Sequence, residues 1–139
     1  MSDKKKKIAL TGRAPVLIVE DDWPVIASAS ENDRHGAQIG NDPNQETDWV
    51  IEVREHQDGR MLVLALYDYS TLYQDEKSVS LRGGELLDSF THTSAGIVAA
   101  IQRVGAAIEA RILSRGDESG VFPRLVEECI ADLPAEELV

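Results

Sequence analysis

Residues 49–70 read "WVIEVREHQDGRMLVLALYDYS": apolar and polar positions alternate up to Asp58-Gly59, and beyond it nearly every position is apolar. Alternation marks a half-buried strand, and Asp58-Gly59 marks a hairpin, because both residues tolerate the positive φ that a tight turn requires. A two-residue turn sets Val53 against Leu64 and gathers Ile51, Val53, Leu62, Leu64 and Leu66 on the core face. A three-residue turn with a glycine bulge sets Val53 against Val63 instead, so two registers are open. In either one the second strand is apolar on both faces, the pattern of a central strand covered on each side.

Around this hairpin the pattern predicts short elements. "KIALT" and "PVLIVE" read as strands. "DDWPVIASASE" reads as a helix of about two turns, with Asp21 or Asp22 as N-cap, Pro24 in the first turn and Val25, Ile26 and Ala29 inward. Residues 32–47 lack an apolar period and read as a long loop. "EKSVSLR" supplies a third strand of the meander, with Val79 and Leu81 on one face, and "GGELL" ends it. Residues 93–115 predict a helix capped by Thr93 or Ser94 and stopped at Gly116, with Ile97, Ile101, Val104, Ile108 and Ile112 at helical spacing. Residues 121–133 repeat the pattern with Phe122, Leu125, Val126, Cys129, Ile130 and Leu133. Two cover helices are thus available, one for each face of the sheet. The expected fold class is α+β: an antiparallel meander around Asp58-Gly59, a short helix before it and two C-terminal helices. The expected organisation is a basic flexible tail over 1–7 and a single α+β domain over 8–139.

Composition narrows the function classes. With 139 residues, 42% hydrophobic and 28% charged, the chain has the material for a core of its own. Its single cysteine, Cys129, excludes an internal disulfide and multi-thiolate metal sites, which fits a cytoplasmic setting. The basic run "KKKK" has no apolar stretch after it of the kind an export signal needs, and no later stretch is long enough for a membrane span. The net charge is −11, but residues 1–13 carry a local +4, which leaves −15 for residues 14–139. Such a body repels a phosphate backbone, so direct nucleic acid binding is disfavoured outside the basic tail.

Candidate chemistry is sparse. His35, His56 and His92 are not spaced as metal ligands, the glycine pairs match no phosphate-binding loop, and no GxSxG elbow is present. No cofactor, metal or catalytic residue is predicted. Cys129 lies on an apolar helix stripe and reads as structural. Trp49, Tyr67, Tyr69 and Tyr73 could stack bases, but their acidic neighbours favour packing. The carboxylates are more informative. "EECIADLPAEELV" carries Glu127, Glu128, Asp132, Glu136 and Glu137 without a Lys or Arg, and "VEDD" adds Glu20, Asp21 and Asp22. Both are candidate sites for a protein partner with a basic surface.

Together "LTGRAPVLIVEDDWPVIA", "VREHQDGRMLVLALYDY", "GGELL" and "ECIADLPAEEL" resemble small uncharacterised proteins of proteobacterial genomes and their mobile elements. That resemblance implies no activity, but its context includes inhibitors of host defence such as anti-CRISPR and anti-restriction proteins. The expectation is a non-catalytic acidic interaction protein, of the type that blocks a host nucleic-acid-binding or defence complex. The alternative is a nucleic-acid-associated domain acting through Lys4–Lys7. Its predicted helix, three strands and helix follow the order of double-stranded RNA-binding domains, although "SRGDESG" stands where those domains grip phosphate.

Overall fold

The computed structural model describes residues 4–34, 45–71, 78–88, 93–116, 120–135 and 138. Strands β1 (Lys5–Leu10) and β2 (Arg13–Val19) form an antiparallel hairpin. A four-stranded antiparallel meander follows, made of β3 (Val25–Arg34), β4 (Gln45–Glu55), β5 (Met61–Thr71) and β6 (Ser78–Leu87) in that order. Helices α1 (Ser94–Ser114) and α2 (Val121–Ala131) come after both sheets.

The α+β expectation is corrected to a mostly β architecture of six strands in two sheets, with both α-helices after the sheets and, among the described residues, no α-helix before them. Where a helix over residues 21–31 was expected, Glu20–Asp22 make one 3-10 turn without a side-chain cap, and Val25–Arg34 run as strand β3. The reason is legible in "VIASAS". Ala27 and Ala29 alternate with Ser28 and Ser30, and only the alanines are buried. That is period two, and the serines and Val25-Ile26 add little helix propensity to oppose it. The expected loop at 32–47 is shorter than predicted, because Asn32 pairs with Asp48 and Asp33 with Thr47; residues 35–44 lie outside the described part. "GGELL" continues β6 instead of ending it.

The register is that of the three-residue turn: Val53 faces Val63 and Ile51 faces Ala65. His56 N donates to Arg60 O at 2.9 Å and Gly59 takes φ 96°, the geometry of a turn with a glycine bulge. Asp58 supports it by accepting from Arg60 N at 3.0 Å. Hence Trp49, Ile51, Val53, Val63, Ala65 and Tyr67 share one core, and Leu62 points into another.

Both faces of β5 are covered, but not by one helix each. The two helices lie together on one face, where Ile101, Val104, Ile108, Phe122 and Leu125 pack against the sheet. The β1–β2 hairpin covers the other, with Ile8, Leu10, Ile18 and Trp23 around the fully buried Leu62. The result is three layers: helices, meander, hairpin.

The meander's edges are closed by side chains and a turn. At β6, Thr11 N donates to Gly84 O at 2.8 Å, Gly84 N donates to Thr11 Oγ1 at 3.1 Å, and Arg111 Nη1 donates to Arg82 O at 2.9 Å. At β3, Ser28 N donates to Asp132 Oδ2 of the α2 C-cap at 2.9 Å. Each contact satisfies a backbone group that would otherwise offer a pairing template.

Candidate functional site

The expected acidic residues fall on different elements, and three of them, Glu20, Glu128 and Asp132, are engaged within the chain. Glu20 sits in the turn between β2 and β3, 3.2 Å from Lys6 Nζ and 3.3 Å from Arg54 Nη2. The hydrogen bond and charge of Lys6, with Arg54 behind them, hold its carboxyl below the ordinary 4.5. On α2, Glu128 accepts from Arg124 at 2.8 Å, and the same guanidinium reaches Glu31 on β3 at 2.6 Å. Asp132 is the edge cap of Ser28. Glu127 is exposed. Glu136 and Glu137 lie outside the described residues. The C-terminal patch is therefore, where described, partly a set of helix-to-sheet ties.

Asp21 and Asp22 differ. They are exposed, and neither forms an ion pair with a described residue. Together with Pro24, Glu55, His56 and Gln57 they line an open depression of about 460 Å³ at one end of the molecule. Three acidic residues and a histidine thus border one depression.

Trp23 holds this end together. It is buried next to the turn, and its carbonyl accepts from Arg54 Nη1 at 3.1 Å. The His56 ring stands 4.9 Å from the indole, and the Arg60 guanidinium lies over it at 5.2 Å, within cation–π range. Pro24 O accepts from Glu55 N at 3.0 Å, which ties the acidic turn to the end of β4. At the hairpin tip Asp58 accepts from Arg60 N, and that bond, with the Arg60 side chain, lowers its pKa below the ordinary 3.8.

Glu55 joins the candidate set only through the structure, because its neighbour across the depression is thirty-odd residues away in sequence. A second feature escaped the sequence for the opposite reason. The expected basic tail over 1–7 is in part strand: Lys5, Lys6 and Lys7 belong to β1, paired with Val19, Ile18 and Leu17. The signal was the apolar Ile8 and Leu10, whose alternation with Lys7 and Ala9 extends the strand backwards into the lysines.

The remaining candidates resolve simply. Cys129 is fully buried, and burial, with the negative charges of Asp132 and Glu52, pushes its thiol up to about 11. Trp49 and Tyr67 pack against the helices with ring centroids 6.1 Å apart, so they offer no platform for bases. His35, His92 and Tyr73 lie outside the described residues. Among the described residues no three His, Cys, Asp or Glu side chains converge as a metal would require. No described helix is long and apolar enough to cross a membrane. Comparison with protein-family models, curated proteins and solved structures found no match to the chain.

Proposed function

We propose that the protein is a non-catalytic interaction protein whose acidic end engages basic side chains of a protein partner, in the manner of an inhibitor that occludes a nucleic-acid-binding surface of a host or defence complex. The observation that carries this reading is the depression that Asp21, Asp22 and Glu55 line together, with no Lys or Arg of the described chain among its lining residues. Carboxylates left unneutralised on a rigid turn attract Lys and Arg and contribute mainly to the association rate. Glu20 supports the site by fixing the turn through Lys6 and Arg54. Glu127 is available as a further contact on α2, and Glu136 and Glu137 extend the acidic sequence beyond it.

The test begins with a partner isolated by pull-down from the native host and identified by mass spectrometry. Its association rate with the full chain is then followed across a salt series, for the natural protein and for Asp21→Asn, Asp22→Asn, Glu55→Gln combined. The rate should fall as salt screens the field beyond about 8 Å, and the triple variant should be slower and less salt-dependent. A rate that ignores both salt and these substitutions refutes the acidic-end reading. Met61, Val63 and Tyr67 supply no alternative apolar contact, because all three are buried in the core under the helices.

A further inference from the structure

The acidic end does not account for the opposite chemistry beside strand β1. A cavity of about 140 Å³ is lined by Lys6, Lys7, Ile8 and Ala9, four consecutive residues of that strand. Successive strand side chains point to opposite faces, so a space that touches all four runs along the strand's edge. Among the described residues that edge is open: β1 pairs there only with β2, and its link to the meander, Thr11 N to Gly84 O, lies beyond its C-terminal end.

The floor of the cavity is the outer face of the meander. Val50, Leu64 and Leu66 are only partly buried there: Leu64 packs against the margin of the cluster that encloses Leu62, and Val50 and Leu66 lie outside that cluster. Four cations and one carboxylate frame it. Lys6 is engaged by Glu20, and Arg54 by Glu20 and by Glu52, which itself lines the cavity, but Lys7 and Arg82 make no ion pair with a described residue. The same Lys7 and Arg82 border an adjoining depression with Arg13. A chain of net charge −11 thus gathers Lys7 and Arg82, without an ion pair to a described residue, around a strand edge that no described strand pairs, over an apolar floor.

We propose that this edge is a docking site for an extended, acidic peptide segment of a partner, added to β1 as a further strand. Backbone pairing to Lys6–Ala9 supplies affinity, one apolar side chain fills the cavity over Leu64, and flanking carboxylates meet Lys7 and Arg82. The cavity is smaller than the roughly 300 Å³ at which small-molecule sites begin, which favours a single side chain over a free ligand. The net negative body disfavours a nucleic acid strand at the same place. This site is independent of the acidic end and stands or falls separately.

The test uses the full chain and a capped synthetic peptide that alternates valine with glutamate. A second peptide carries lysine in place of glutamate, and a third is N-methylated along one backbone edge. The glutamate peptide should bind, slow amide exchange at Lys6–Ala9, and lose roughly tenfold in affinity with the exposed pair Lys7→Glu, Arg82→Glu. The lysine and N-methylated peptides should not bind, and because these two controls need no substitution in the protein, they hold even if the double variant folds poorly. The proposal is overturned if the glutamate peptide fails to bind, binds equally when N-methylated, or protects other amides instead. It is equally overturned if a single-stranded oligonucleotide takes the edge in its place. Self-association abolished by Lys7→Glu, Arg82→Glu would assign the edge to a second copy of the chain and also overturn it.

Discussion

Cys129 sits on the inner stripe of α2 beside Val126, with no exposed surface, and burial pushes its thiol up to about 11 from an ordinary 9.0. A raised folded pKa means that the folded state holds its proton more tightly than the unfolded one. The contribution to stability is therefore complete below about pH 9 and is lost as pH rises through about 11. Because the thiolate is the reactive form, and burial denies both water and reagent, the native thiol should resist alkylation at about pH 8. Iodoacetamide labelling followed by mass should show no adduct in buffer and complete modification in denaturant. Rapid labelling of the native chain would show that α2 opens locally or packs less tightly than described. At this scale the sequence was informative: Cys129 between two apolar positions of a helical stripe already read as structural. The acidic residues were less so. Whether Glu20, Glu128 and Asp132 were free or engaged depended on Lys6, Arg124 and Ser28, partners set by the fold and not by spacing along the chain.

The two helices meet where Gly105 removes a side chain. A Cβ built on Gly105 would collide with Val126 of α2 and touch Ile51 of β4 at 3.7 Å, so helix, helix and sheet converge at that point. Gly105→Ala gains helix propensity of about 0.8–1.0 kcal/mol, but overpacking costs about 1–3 kcal/mol, and the second effect wins. Denaturant unfolding should show a net loss of stability for Gly105→Ala, and Val126→Ala in the same chain should recover part of it. Additive losses in the double variant would show that the two positions do not share the contact. Element prediction succeeded where a single period dominated. Thr93 caps α1 by accepting from Gly96 N at 3.0 Å, and Ile101, Val104, Ile108 and Ile112 face the sheet. It failed at residues 21–31, where Asp21, Asp22 and Pro24 supply a helix start that the following "VIASAS" does not continue. Ala27 and Ala29 are small because α2 packs over them, a tertiary reason that composition alone presents as helix propensity. The hairpin register was similarly undecided until Asp58 and His56 chose the three-residue turn.

For the molecule as a whole, the first two strands are a structural layer as well as a charged one, and this decides how the basic run can be tested. Removing residues 1–7 to eliminate its charge also removes the pairing of Lys5, Lys6 and Lys7 with β2 and the bridge from Lys6 to Glu20. Little of β1 then remains: Ile8 opposite Val16 and Leu10 opposite Arg13, across an irregular step. The cover over Leu62 and Trp23 depends on those two residues and Ile18. Each large side chain returned from the interior to water costs about 1.5–3 kcal/mol. Truncation is thus expected to lower the denaturant midpoint markedly and to expose apolar surface that binds an environment-sensitive dye. Replacing Lys5 and Lys7, which are exposed, by Gln removes charge while leaving the strand in place, and should leave the unfolding free energy within about 0.5 kcal/mol of the natural protein's. If the truncated chain unfolds like the intact one and binds no dye, β1 is not needed to hold the hairpin on the meander. The open edge proposed for peptide docking would then lack the rigid support on which its geometry depends.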